Sequence, residues 1–164
     1  MRRLISALES AGRRVLSVRE VSVPRLTKRF AAAKARLGSG TVTTRLYHGT
    51  SVEAAAGIER AGFLVPSASS AHAFGRGVNL TPDPAHTLLY IPRRGPACLV
   101  VCDVAIKRTH VNISREVEGS SDTVPDRLRP RPGFDAMTGA NGLIVVVPSV
   151  ARVLPRWIVT HVAK

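Results

Sequence analysis

The chain has 164 residues with 24 Lys or Arg against 11 Asp or Glu, a formal net charge of +13. That length suits one domain, which buries about two-thirds of the surface its unfolded chain exposes and needs no covalent staples. Four Phe, two Tyr and one Trp exclude an interleaved aromatic platform for single-stranded bases, and no apolar run is long enough to span a bilayer as a helix.

The charge is uneven, because residues 1–36 carry ten Lys or Arg and two Glu. A basic amino-terminal face could meet nucleic acid or an acidic partner, or could be a solvated helical face. Residues 3–16 read as a short basic helix, and residues 1–20 as a basic helical amino-terminal extension ahead of a domain over 21–164. Met1 to Glu9 is too short in its apolar part, and too soon interrupted by glutamate, for a secretory signal. Arg2, Arg3, Arg13, Arg14 and Arg19 among small residues leave a mitochondrial transit segment open, with Glu9 and Glu20 against it.

Pro24 opens a second helix and Gly38 ends it, with Leu26, Phe30, Ala33 and Leu37 as its apolar stripe. A strand over residues 46–50 leads to Ser51, which caps a helix over Val52–Ala61 that Gly62 stops. Residues 64–76, rich in small and turn-forming types, predict a loop. A short strand at Val78–Thr81, a helix from Pro82 to Leu89 and a strand at Ala97–Ile106 follow. A Pro/Arg/Gly region over 112–142 precedes closing strands at Leu143–Val147 and Val153–Val162. Strands dominate the second half with few helical crossovers, which predicts an α+β fold with mainly antiparallel sheets and helices to one side. Cys98 and Cys102 lie four apart on one predicted strand. Their Cα atoms would be about 13 Å apart, beyond disulfide reach, as buried thiols in a reducing, intracellular compartment.

Several chemistries are missing from the chain. Gly75-Arg76-Gly77 runs on to Leu80 and is no dinucleotide fingerprint, and there is no phosphate loop or nucleophile elbow. His48, His72, His86, His110 and His161 lack zinc-ligand spacing, so no metal is expected. His48-Gly49 is the stronger signal: an imidazole at a strand end beside a backbone that a flat ligand can approach, where a purely structural histidine is the competing reading.

Leu46-Tyr47-His48-Gly49-Thr50, Phe74-Gly75-Arg76-Gly77-Val78-Asn79-Leu80 and Val153-Leu154-Pro155-Arg156-Trp157-Ile158-Val159 together resemble signature strands of the poly(ADP-ribose) polymerase catalytic domain. Val21 to Lys34 is similar to the segment upstream of the His-Gly strand in the mono-ADP-ribosylating branch. Gly133-Phe134-Asp135-Ala136-Met137 resembles a further family stretch, which extends the likeness over most of the chain. The resemblance implies the ADP-ribosyltransferase fold, with two packed, mainly antiparallel sheets, and NAD as co-substrate. It assigns His48 to the adenosine ribose, the backbone of Gly49, next to Thr50, to the nicotinamide carboxamide, Thr87 to a hydroxyl contact on that carboxamide, and Tyr90 to stacking on the ring.

The likeness has two departures. Asn79 stands where the family usually has tyrosine, so one ring of the aromatic sandwich is missing, a loss of about 0.5–1.5 kcal/mol. Counting back from Val153-Leu154-Pro155, the position where polymer-forming members have glutamate falls on Ile144, or with a slip of one on Leu143 or Val145; none is acidic, which implies transfer of a single ADP-ribose to a protein acceptor that supplies its own acidic side chain. Polymer formation would need another carboxylate, such as Asp135 or Asp103, in the site. A pseudoenzyme that binds NAD or ADP-ribose without turnover, and an enzyme of this fold acting on nucleic acid, are the rival readings.

Overall fold

The computed structural model describes residues 1–65, 75–92, 94–111 and 129–164. Most of the loop expected over 64–76, Phe74 and His72 included, and the larger part of the Pro/Arg/Gly region lie outside the described residues.

Helix α1 (Arg2–Ser10) is followed by strand β1 (Arg13–Glu20), helix α2 (Pro24–Leu37), strand β2 (Val42–Ser51) and helix α3 (Val52–Ala61). Then come β3 (Val78–Leu80), a 3₁₀ helix (Ala85–Tyr90), β4 (Ala97–Ile106), β5 (Thr109–Val111), β6 (Ala136–Gly139), β7 (Ile144–Val147) and β8 (Val153–Ala163). One four-stranded sheet has the order β1-β8-β4-β2 and the other β3-β7-β6-β5. The pairings are antiparallel except β5 with β6. This is the expected α+β arrangement.

The amino terminus corrects the sequence reading. The predicted helix over 3–16 ends at Ser10, and Gly12, at φ +75°, turns the chain into β1. That strand pairs with β8 from Arg13↔Ala163 to Glu20↔Trp157. Residues 13–20 are therefore an edge of the sheet, and the segment 1–20 is not a helical extension. The run Val15, Leu16, Val18 favours a strand, and the arginines among these residues masked it. Elsewhere local chemistry held. Pro24 sits at the first turn of α2 and Gly38 follows its last residue, and the Ser51 hydroxyl accepts the Ala54 N–H at 3.1 Å. The helix predicted from Pro82 is a 3₁₀ segment that begins at Ala85, since two prolines two residues apart delay its start.

Central β4 is buried on both faces, which explains its unbroken apolar sequence. Its residues alternate by the strand period of two. Cys98, Val100, Cys102 and Val104 join Leu46, Ile158, Val78, Leu80, Val145 and Val147 in the core between the sheets. Leu99 and Val101 face the other way, against Leu4 and Leu8 of α1. Both cysteines are buried free thiols, and burial pushes the Cys102 thiol well above its ordinary range, with Asp103 adding to the effect.

One end of the molecule is tied by a largely buried ion pair. Arg152 reaches the Asp135 carboxylate at 2.8 Å, and that carboxylate also accepts the backbone N–H of Arg108 at 2.7 Å. Asp103, on β4, is held by Arg45 at 3.0 Å and Arg156 at 3.5 Å. Both acidic residues that might have entered the site are thus engaged elsewhere.

His161 on β8 is 0% exposed, and its Nδ1 accepts from Arg13 Nε at 3.0 Å. Burial, with the adjacent Arg13 charge, lowers its pKa to about 4. The unfolded chain takes up this proton near pH 6.5 and the folded chain only near pH 4. Stability from this group is therefore complete above pH 6.5 and declines as pH falls from 6.5 towards 4. Urea denaturation should show wild type losing up to about 3 kcal/mol more than His161→Gln between pH 7 and pH 4; parallel pH profiles for the two proteins would refute this.

Candidate functional site

The site forms where the two sheets meet. The Tyr47 N–H donates to the Thr81 carbonyl at 2.8 Å, and the Thr81 N–H donates to the Tyr47 carbonyl at 2.9 Å. This reciprocal pair fastens the free edge of β2 to the chain just past β3. Peptide groups alternate sides along a strand, and the β2–β4 register runs unbroken from Val42 to Ser51. Because Tyr47 points its N–H and C=O away from β4, Gly49 does the same. Among the described residues no hydrogen bond reaches either group of Gly49, so a donor and an acceptor stand side by side on the strand edge.

His48, between them, is fixed by two contacts. Its Nδ1 lies 2.9 Å from the Asn79 carbonyl oxygen, and its ring meets Phe63 edge-on at 5.2 Å. A carbonyl can only accept, so Nδ1 carries the proton and Nε2 presents a lone pair. Burial lowers the His48 pKa, with the Asn79 bond opposing, which keeps the ring neutral near pH 7 and Nε2 an acceptor.

The sequence reading of Gly49 needs an amendment. A Cβ built at residue 49 would collide with the Thr87 carbonyl oxygen and come within 3.0 Å of Ile91 Cγ2 and Thr87 Cβ. The missing side chain thus lets the 3₁₀ helix lie on β2, while the Gly49 peptide groups on the strand edge, buried but without a hydrogen bond among the described residues, are what a ligand would meet. Thr87 is 1% exposed, and its hydroxyl donates to the Pro84 carbonyl at 2.6 Å, leaving its oxygen lone pairs as acceptors. Tyr90, one 3₁₀ turn on and so on the same side of the helix, is 54% exposed and touches His86 at 5.7 Å between ring centres.

Asn79 lies opposite Val146 in the β3–β7 pair. Ile144, two residues from Val146, shares that face of the sheet and packs with Met137 and Val146 in a small apolar cluster. The structure therefore brings His48, Gly49, Thr87 and the Asn79 backbone together directly and sets Ile144 on the Asn79 face one strand over. Among the described residues there is no group of three or more His, Cys, Asp or Glu able to hold a metal ion. Sequence reasoning missed Phe63 and the Thr81 bridge; the apolar pair Phe63-Leu64 just after Gly62 was the available signal for the first.

A family model, the poly(ADP-ribose) polymerase catalytic domain, matches residues 4–125, about three quarters of the chain. His48, Gly49, Asn79, Thr87 and Tyr90 fall inside that span, and Ile144 lies beyond it. No match was found among the curated proteins.

The packing of Gly49 yields a direct test. Gly49→Ala should cost about 1–3 kcal/mol, because the backbone of the 3₁₀ helix must move. Gly57→Ala, in α3 with nothing within 4 Å of the new methyl, should be neutral or stabilising by up to about 1 kcal/mol. Equal melting temperatures for Gly49→Ala and wild type would show that the 3₁₀ helix does not rest on β2.

Proposed function

The chain belongs to the poly(ADP-ribose) polymerase catalytic-domain family, whose activity is NAD-dependent ADP-ribosyl transfer, and from that premise we propose that it transfers a single ADP-ribose from NAD to a protein acceptor. The observation that carries the reading is Ile144. By the resemblance, this aliphatic side chain, 3% exposed among Met137 and Val146, stands where elongation calls for a carboxylate, and Asp103 and Asp135 are held in ion pairs elsewhere.

The edge of β2 suits the leaving group. A primary carboxamide offers one acceptor and two donors, which complement the Gly49 N–H and C=O as a two-bond pair. The exposed Tyr90 ring supplies a stacking surface, and the Thr87 oxygen an acceptor. The His48 Nε2 lone pair suits a ribose hydroxyl. Held this way, the C1′–N bond breaks with its electron pair passing to the nicotinamide nitrogen, and positive charge develops on the ribose. An acceptor carboxylate attacks C1′ from the opposite face, forming the C–O bond without a proton to dispose of. Pre-set hydrogen bonds and position are the protein's contribution, and without a resident carboxylate turnover is slow.

Asn79 favours a second reading, an NAD-binding pseudoenzyme, because it cannot stack and so weakens the nicotinamide clamp. Nucleic acid as acceptor, approached through the basic amino terminus, is the third. The buried free thiols accord with an intracellular setting. Incubation with labelled NAD, followed by gel analysis and intact mass, should show free nicotinamide and additions of one ADP-ribose per site in discrete bands. A ladder of polymer would overturn the single-transfer reading, and binding of NAD without nicotinamide release would favour the pseudoenzyme.

A further inference from the structure

Helix α2 carries a basic surface that runs from the end of α3, where Arg25 reaches the Arg60 carbonyl at 3.0 Å, to a hollow at the opposite end of β2 from His48. Helix α2 contains Arg25, Lys28, Arg29, Lys34 and Arg36 and no acidic residue, and no ion pair among the described residues engages any of the five. At 100° per residue, Arg25, Lys28, Arg29 and Arg36 fall within an arc of about 100° along a helix about 21 Å long. The helix ends at an open hollow of about 530 Å³ lined by Arg36, Lys107, Arg108, Phe134 and Asp135, among others.

Charge balance in this hollow is positive for a structural reason. Asp135, the one carboxylate among its described lining residues, is neutralised by Arg152 and capped by the Lys107 and Arg108 N–H groups. Lys107 Nζ donates to the Leu37 carbonyl at 3.1 Å and so is pinned at the mouth, while the exposed Arg36 and Arg108 guanidiniums have no partner among the described residues. The hollow flanks the start of β2, where Val42 pairs with Ile106. Six strand residues, about 20 Å, separate that end from His48.

We propose that this face, helix α2 together with the Arg36–Lys107–Arg108 hollow, binds the phosphodiester backbone of nucleic acid. A single bound phosphate would need only the hollow. The row of cations continuing along α2 fits a repeating anion, and the two exposed guanidiniums of Arg36 and Arg108 are forks suited to phosphate oxygens. Helix α1 is not part of this surface, which takes in the five α2 cations among the ten Lys or Arg of residues 1–36. The inference does not depend on the reading of the NAD site.

The test is fluorescence anisotropy of the full chain with a fluorescein-labelled single strand of mixed sequence, with the same strand unlabelled, an unlabelled duplex and polyglutamate as competitors. About three to four phosphate contacts predict a slope of log K against log salt of about −2 to −3, hence about 15- to 60-fold weaker binding at 200 mM than at 50 mM salt. Arg36→Glu/Arg108→Glu should reduce that slope by about 1.4, with melting temperature and NAD binding unchanged. Arg2→Glu/Arg3→Glu, an equal charge change on α1, should leave nucleic-acid affinity within about twofold. Stronger competition by the duplex than by the single strand would identify double-stranded nucleic acid as the preferred source of the backbone. Absence of binding, equal loss in both double variants, or polyglutamate competing as well as either nucleic acid would overturn the proposal.

Discussion

Two backbone hydrogen bonds between Tyr47 and Thr81, 2.8 and 2.9 Å long, are the constraint on which the site depends. They join two sheets that otherwise meet through side-chain packing, the His48–Asn79 hydrogen bond and the Asp135 contacts at the other end, and they set which peptide groups of β2 point outward. From that parity follow the open N–H and C=O of Gly49, the meeting of His48 with the Asn79 carbonyl, and the seat of the 3₁₀ helix against β2. A shift of one residue in this register would turn the Gly49 peptide groups into β4 and remove the edge a carboxamide can use.

The surrounding structure makes that register hard to change. β4 is covered on both faces, by the second sheet and by α1, so β2 is anchored to a strand with no freedom to slide. At the opposite end, Asp135 joins the chain entering β6 to the 3₁₀ turn before β8 through Arg152. An ion pair so little exposed contributes mainly by the cost of separating it, about 3–5 kcal/mol if one partner were lost. This use of Asp135 has a functional side as well: a carboxylate spent on holding the fold is not free to serve the ribose, and it leaves the cations around it in excess.

How much was legible in the sequence depended on whether local rules or distant partners decided the outcome. Pro24, Gly38, Ser51 and Gly62 marked helix ends correctly because capping is a property of a few neighbouring residues. The β4 run was readable as a strand, but only the fold shows that α1 buries its second face. β1 was misread as helix because its arginines obscured a β-branched pattern whose meaning rests on β8, more than 130 residues away. Gly49 was recognised as important for an incomplete reason, since its lack of a side chain serves Thr87 as well as any ligand. The strand β6 was hidden in a Pro/Arg/Gly region because four residues are too few for a period to show.

The account turns on the Gly49 edge being the place where the nicotinamide carboxamide is held. A crystal structure of the protein soaked with nicotinamide tests this most directly. The account predicts the carboxamide paired with the Gly49 N–H and C=O at ordinary hydrogen-bond distances, about 2.7–3.2 Å, with its ring flat against Tyr90 and its amide near the Thr87 oxygen. Nicotinamide bound elsewhere, or a Gly49 peptide engaged by the protein itself in the complex, would contradict it.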